Sequence, residues 1–202
     1  NEKKIIDAAG ETIILKSDNA DYEWKTDGGL HWGKVDYQEK TLLESNVFVP
    51  CFAASVNGEI IYSHELTITA IETTPDRAVF KLLDKTGNIS FAMNAEKAAD
   101  GAIEMSLAAE NVGKEQQKVQ LIFPIVGSFA PDGDLLNAEY FFPWRSGILG
   151  NQTAKFATEY GGFGWMQLQF AYDKKSEVGL MFYPLDTNGR FKGMAMQKQI
   201  DE

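Results

Sequence analysis

The sequence is short of cysteine, histidine and proline: it has one Cys, two His and six Pro among 202 residues. The lone Cys51 excludes an intrachain disulfide and any zinc site built from several cysteines. It lies in an apolar run, so we expect a buried thiol that packs as a small hydrophobe. The two histidines show neither H-x-H nor H-E-x-x-H spacing. We therefore expect neither a metal site nor another cofactor.

Long hydrophobic runs and an excess of positive charge are also missing. No apolar stretch approaches the ~20 residues that cross a bilayer, so we expect no membrane insertion. Nineteen basic residues against 29 acidic ones give a formal net charge of −10, and such a field repels phosphate backbones. We therefore expect no nucleic-acid partner, whereas a neutral sugar is indifferent to the sign of the charge.

Alternation of apolar and polar residues dominates the chain, which is typical of half-buried strands. Clear examples are Ile60–Ala70 and Ala102–Asn111, and Asn-Gly and Asp-Gly pairs supply turns between such runs. A helix is suggested only around Glu96–Ala99. We predict an all-β, antiparallel, multi-stranded fold in which residues 1–202 form a single β-sandwich domain. Further strands are predicted at Leu135–Phe142 and Phe163–Tyr172, among others.

Two stretches resemble a known class of domain. Ile103–Asn111 followed by Val119-Gln120-Leu121-Ile122-Phe123-Pro124 is similar to a strand pair of galactose-mutarotase-like β-supersandwich domains. Phe142–Gly147, with Tyr160-Gly161, Met166-Gln167, Ala171–Asp173, Gly179-Leu180 and Asp186, resembles the sandwich that precedes the barrel in bacterial glycoside-hydrolase-like proteins of largely unknown function.

The resemblance implies a supersandwich on a bacterial, secreted or periplasmic, sugar-processing protein. The family's return strands and catalytic barrel do not follow Asp201-Glu202, so we expect a truncated supersandwich from a longer protein. The paired His and Glu of true mutarotases have no recognisable counterpart.

Trp165, Gln167 and Gln169 form the first candidate site. In the predicted strand Met166, Leu168 and Phe170 share an apolar face, which leaves the tryptophan and both amides on the opposite, polar face. An indole beside two amides suits a sugar platform, a surface for a neighbouring domain, or a face covered by a loop. The sequence leaves these three alternatives open.

Trp144 and Arg145 form the second candidate site, after Pro143 and before a Ser-Gly turn. Trp144 either packs under a loop or stands at a rim where Arg145 donates hydrogen bonds to a sugar or to an acid across an interface. Trp24 and Trp32, in alternating segments, are predicted to be core residues.

The titratable residues predict no catalytic site. His31 is expected to face solvent, and His64 to lie on an apolar strand face. Asp132, Asp134 and Glu139 are close in sequence but lack the spacing of a calcium loop, so a hydrated turn is expected. The glycine-rich run Tyr160–Gly164 precedes a strand and predicts a turn, not a phosphate loop.

Three hypotheses about function follow. The first is a non-catalytic accessory domain, associated with carbohydrate, that packs against a catalytic glycoside-hydrolase domain or lines its cleft. The second is a free-standing carbohydrate-binding module. The third is an aldose epimerase-type or glycoside-cleaving enzyme, which requires His31 or His64 within hydrogen-bond reach of a carboxylate.

Overall fold

A computed structural model describes residues 4–6, 10–43, 48–129, 131, 137–160, 166–185 and 192–199, with residues 4–6 and 160 described by their backbone. Within these ranges the chain forms strands and one short 3-10 helix, Ser63–Glu65, and no α-helix. All the strand pairs described are antiparallel. The predicted all-β, antiparallel class is therefore confirmed, and the supersandwich stays a prediction.

The strands are β1 (Lys4–Ile6), β2 (Thr12–Lys16), β3 (Ala20–Lys25), β4 (His31–Tyr37), β5 (Lys40–Leu43), β6 (Ala53–Val56), β7 (Glu59–Tyr62), β8 (Thr67–Thr74), β9 (Arg77–Leu83), β10 (Ile89–Lys97), β11 (Ile103–Asn111), β12 (Val119–Ile122), β13 (Ala138–Phe142), β14 (Ile148–Gly150), β15 (Ala154–Tyr160), β16 (Gln169–Asp173), β17 (Val178–Phe182) and β18 (Lys192–Lys198).

The chain divides into two compact units. The first comprises Asn1–Glu39 and Leu43–Ser128, and the second comprises Lys40–Leu42 and Phe129–Glu202. Two compact units can belong to a single domain or can be two separate domains. The single domain predicted for residues 1–202 therefore stays a prediction.

Aromatic side chains fill the core of the first unit. Its sheets have the strand orders β1-β8-β9-β10-β11, β12-β6-β7 and β2-β3-β4-β5. The Trp24 ring lies 5.3 Å from Trp32 and 5.8 Å from Phe80, and Phe52 lies 5.7 Å from Phe91. All five rings are buried, as predicted for both tryptophans. Burial of each ring stabilises the fold by about 2 kcal/mol.

The second unit is built from two sheets, β14-β13-β16-β17 and β15-β18. Alternation along β13 buries Tyr140 and Phe142 on one face. Phe156 of β15 packs on that face, with ring centroids 5.6 Å and 5.3 Å from those of the two rings. The two sheets therefore face each other across a small aromatic core.

The strand predictions differ from the structure in informative places. The strand predicted for Ala102–Asn111 is confirmed and begins one residue later, at Ile103. The strand predicted for Ile60–Ala70 is wrong, because the helix Ser63–Glu65 separates β7 from β8. The helix suggested at Glu96–Ala99 is also wrong, because β10 continues to Lys97 through its pairing with both β9 and β11.

Candidate functional site

The described candidate residues of the second unit meet at one end of its four-stranded sheet. Trp144 and Arg145 follow the last residue of β13, and Gln167 precedes the first residue of β16, which is Gln169. Because β13 and β16 are antiparallel neighbours, the end of one strand lies beside the start of the other. We call Trp144, Arg145, Gln167 and Gln169 the sheet-end cluster.

A tight turn holds the aromatic part of this cluster. The amide of Gly147 donates to the carbonyl oxygen of Trp144 at 3.0 Å, and the amide of Trp144 donates to the carbonyl oxygen of Phe142 at 2.9 Å. Gly147 has a φ of +94°, and a Cβ at this position would collide with the Phe141 ring. Only glycine therefore suits the last position of this turn.

Trp144 stands partly in solvent at the turn, with 39% of its surface exposed. The Arg145 guanidinium carbon lies 4.9 Å from the centroid of the Trp144 ring, which is a cation–π arrangement. Trp144 is therefore only partly covered, and the binding rim stays a prediction. Tyr183, one residue after β17, is also exposed at this end, since Phe182 pairs with Gln169; no pattern in the sequence marked it.

The predicted polar strand face is wrong for Gln169. Ala171, on the same face as Gln169, lies directly opposite the buried Tyr140, so Gln169 is on the core side of the sheet. Gln167 Oε1 and Gln169 Nε2 are both buried and have no hydrogen-bond partner. One orphan atom is an acceptor and the other a donor, and leaving such atoms unpaired costs about 1–3 kcal/mol each. Trp165 lies outside the described residues.

The opposite side of the same sheet carries an apolar row. Leu149, Phe141, Phe170 and Met181 lie directly opposite one another across β14, β13, β16 and β17. The two phenylalanine rings stack at 5.3 Å, while Leu149 and Met181 are 64% and 57% exposed. We call these four residues the outer apolar face. The strand face that contains Phe170, predicted to be apolar, is thus partly in solvent.

His31 is buried, so the prediction that it faces solvent is wrong. Only 7% of its surface is exposed. Its Nδ1 lies 2.8 Å from the carbonyl oxygen of Gly29, and a carbonyl can only accept, so Nδ1 carries the proton. Nε2 is 3.9 Å from an Asp27 carboxylate oxygen, which is longer than a hydrogen bond.

Both histidines contact Phe48 in the first unit. The Phe48 ring stacks on His31 with centroids 4.2 Å apart and meets His64 edge-on at 4.8 Å. His64 also stacks on Tyr62 at 5.8 Å, and its Nδ1 is buried without a hydrogen-bond partner. His64 lies in the 3-10 helix, so the strand face predicted for it is wrong. No spacing rule connects residues so far apart in sequence. The sequence therefore does not predict that His31 and His64 contact the same Phe48 ring.

The remaining predictions concern single groups. Cys51 is fully buried, as predicted, and burial raises the pKa of its thiol. Glu139 pairs with Lys174 at 2.7 Å, whereas Asp132, Asp134 and residues 161–164 lie outside the described residues.

Among described residues, no group of three or more His, Cys, Asp or Glu could hold a metal ion. A search of the described helices for one long and apolar enough to cross a membrane gives none.

Comparisons with protein-family models, curated proteins and solved structures give no match to this chain.

Proposed function

We propose that the chain is a non-catalytic accessory domain of an exported, glycoside-hydrolase-like bacterial protein. In this proposal the sheet-end cluster contacts a saccharide and the outer apolar face packs against the catalytic domain. The observation that carries the proposal is the exposed Trp144 beside two incompletely hydrogen-bonded glutamines. The resemblance of the sequence to supersandwich domains supports the class of ligand and the exported location.

The chemistry of the sheet-end cluster suits a sugar. Ligand sites combine apolar or aromatic contact surface with a few polar groups that fix orientation. Trp144 offers the ring surface on which the C–H face of a pyranose can lie. Gln167 Oε1 is an acceptor without a donor, and Gln169 Nε2 is a donor without an acceptor. A hydroxyl group can pair with either atom, because it both donates and accepts hydrogen bonds. Both of these amide atoms are buried. A saccharide that forms hydrogen bonds with them therefore displaces the side chains that cover them.

The outer apolar face supports the accessory role over a free-standing module. Contiguous exposed apolar patches mark interaction surfaces, whereas single scattered apolar residues do not. Leu149 and Met181 add aliphatic surface on both sides of the stacked Phe141 and Phe170. Aliphatic rows of this kind suit protein–protein packing, because a sugar face prefers an aromatic plane flanked by polar groups. A free-standing carbohydrate-binding module would use the same Trp144 surface and leave this face in solvent.

The histidine geometry does not favour the enzyme hypothesis. General acid–base catalysis needs a base within hydrogen-bond reach of its partner or substrate. His31 is buried, and its Nε2 lies 3.9 Å from Asp27. The Phe48 ring stacks on His31 and meets His64 edge-on, and the Nδ1 atom of His64 is buried without a partner. We therefore do not propose acid–base chemistry at this cluster.

A glycan array with matched variants tests the proposal. Wild-type protein should bind a subset of glycans without releasing reducing sugar. Trp144→Ala should weaken that binding by about tenfold or more, equivalent to about 1.4 kcal/mol. Leu149→Ala, which removes a more exposed apolar side chain on the outer apolar face, should leave it unchanged. Absence of any glycan binding would overturn the proposal, and binding that survives Trp144→Ala would overturn the site.

A further inference from the structure

β11 forms one edge of the five-stranded sheet of the first unit, in which the strand order is β1-β8-β9-β10-β11. It pairs with β10 along all nine of its residues, without a shift of register. Among the strands that the structure describes, no other strand pairs with β11. The second edge of β11 therefore offers a straight row of backbone groups to which a further strand can add.

The hydrogen bonds at the two ends of β11 show which backbone groups lie on the free edge. The amide of Val112 donates to the carbonyl oxygen of Asn88 at 2.8 Å, and the amide of Ala98 donates to the carbonyl oxygen of Ala102 at 2.9 Å. Alternate residues of an antiparallel pair exchange hydrogen bonds with the neighbouring strand. The even-numbered residues of β11 therefore bond to β10. The backbone groups of the odd-numbered residues point to the free edge: Ile103, Met105, Leu107, Ala109 and Asn111.

The apolar side of β11 is incompletely covered. Met93 and Ala95 of β10 are fully buried, whereas Leu107 and Met105, which lie directly opposite them, are only half-buried. The core under this sheet thus ends beneath β11. An added strand with apolar residues on the same side would remove this remaining apolar surface from water, which is favourable.

β11 lacks the features that commonly keep other strands away from an edge. Natural edge strands are often very short, carry proline or lysine, or are bent by a bulge. β1, at the other edge of this sheet, has three residues, whereas β11 has nine and contains no proline, no lysine and no bulge. Its charged residues are Glu104 and Glu110, which are both exposed on the outer side.

These two glutamates favour a partner of positive charge. Neither Glu104 nor Glu110 forms an ion pair within the part of the chain that the structure describes. Glu104 lies directly opposite Glu96, whose own partner, Arg77 of β9, is on the far side at 4.0 Å. Like charges directly opposite each other on neighbouring strands repel. A cation on the free side of Glu104 would offset this repulsion.

The same glutamates disfavour a second copy of this chain. In the antiparallel arrangement that pairs β11 with β11 along its full length, Leu107 lies opposite its own counterpart. Glu104 then lies opposite Glu110 of the second copy, and this repulsive pair occurs twice. Each chain also carries a net charge of −10. A contact that repels its own copy and attracts a basic strand is selective for the basic strand.

We propose that β11 is a docking site for an extended segment of another protein, which adds to the sheet as a further antiparallel strand. Apolar residues at alternate positions of the segment pack beside Met105 and Leu107. On its other side the segment carries two basic residues, spaced so that they lie opposite Glu104 and Glu110. Main-chain hydrogen bonds give affinity in such strand addition, and side chains give specificity. The site does not depend on saccharide binding by the sheet-end cluster.

A designed peptide of the same length as β11 tests the proposal. It has valine at the odd positions, lysine at the second and eighth positions and threonine at the others, and a control peptide has glutamate in place of both lysines. Wild-type protein should bind the lysine peptide about tenfold more tightly, since two attractive cross-strand pairs replace two repulsive ones. Methylation of the third, fifth and seventh backbone nitrogens, which face β11, should abolish binding. Methylation of the fourth and sixth, which face away, should leave most of it.

Reversal of charge in the protein provides matched variants. Glu104→Lys combined with Glu110→Lys should bind the glutamate peptide more tightly than the lysine peptide, which inverts the preference of wild type. Glu11→Lys combined with Glu59→Lys changes the net charge equally at exposed positions outside β11. This control should keep the preference of wild type.

Hydrogen exchange of the wild-type amides locates the bound peptide. The amides of Met105, Leu107 and Ala109 should exchange more slowly in the complex, whereas those of Ser106 and Ala108, already bonded to β10, should not change. Binding without this protection, equal binding of both peptides, or absence of binding by the lysine peptide would overturn the inference, whatever a glycan array shows. Protection of the same amides in the free protein, with sedimentation as a dimer, would overturn it in favour of a second copy.

Discussion

At the scale of single residues, the first unit depends on a buried polar contact close to its one thiol. Ser63 is fully buried, and its hydroxyl donates to the carbonyl oxygen of Leu30 at 2.7 Å while it accepts from the amide of Cys51 at 2.9 Å. The thiol of Cys51 lies in the same interior, where burial raises its pKa. The neutral form of this thiol is therefore part of the folded state.

We predict that stability falls above about pH 8.5 because of Cys51. An unfolded cysteine ionises near that pH, whereas the folded one keeps its proton. A pKa raised on folding gives stability that is present below the unfolded pKa and lost as the pH rises through the folded pKa. The loss approaches roughly 1 kcal/mol per pH unit. Urea unfolding from pH 7 to 10 measures it, and Cys51→Ala should flatten the slope. An equal slope in both proteins contradicts the prediction.

At the scale of elements, the loop between β9 and β10 is organised by one carboxylate. Asp84 Oδ1 accepts hydrogen bonds from the amides of Asn88 and Ile89, each at 2.8 Å. Desolvation of the Asp84 carboxyl by burial raises its pKa, but hydrogen bonds from Thr86, Ile89 and Asn88 together outweigh it, so the pKa is lowered. The loop thus fixes the register between β9 and β10.

We predict that Asp84→Asn lowers the free energy of unfolding by about 1 kcal/mol at pH 7, since charge-assisted hydrogen bonds are lost. A depressed folded pKa gives stability that is present above the unfolded pKa, near 3.9, and lost as the pH falls through the folded value. The difference from wild type should therefore shrink below about pH 4. Urea unfolding at both pH values checks this, with Glu104→Gln as an exposed control. A difference that stays constant with pH would refute the assigned cause.

Alternation of apolar and polar residues predicts the strands in which it is clear. It fails where pairing between strands determines the bounds of a strand or its buried face. The bounds of β11 follow from its alternation to within one residue. β10 reaches Lys97 because β9 and β11 flank it on both sides, and local propensity contains no information on such neighbours. The face of Gln169 reads as the polar one because it carries Ala171 and Asp173, whereas Phe170 and Tyr172 share the other face. The identity of the buried face was set by the partner strand β13.

The candidate site shows the same division between local and long-range information. The turn that follows Trp144 and Arg145 is predictable from sequence because the Pro-Trp-Arg-Ser-Gly run contains turn-forming residues. Their position beside Gln167 and Gln169 depends on the pairing of β13 with β16. The contact of both histidines with Phe48 depends on packing between segments with no common pattern. Long-range contacts of this kind leave no periodic signal in one sequence.

At the scale of the whole molecule, the hypothesis that residues 1–202 form one domain predicts a single cooperative unfolding transition. Phe80→Leu in the first unit and Phe142→Leu in the second each remove buried ring surface. Each should cost about 1 kcal/mol and lower the same transition by roughly 2–4 °C. Differential scanning calorimetry of the three proteins measures this. Two transitions, each sensitive to one variant, would show two domains.

The central claim is that the chain binds saccharide through Trp144, and the indole N–H resonances test it most directly. Trp24 and Trp32 are buried, and Trp32 Nε1 donates to the carbonyl oxygen of Ile125 at 2.7 Å, so both serve as internal controls. In a nitrogen–proton correlation spectrum assigned with Trp144→Phe, titration with a bound glycan should shift the Trp144 resonance and leave those of Trp24 and Trp32 in place. A Trp144 resonance that stays fixed while the glycan saturates the protein would contradict the account.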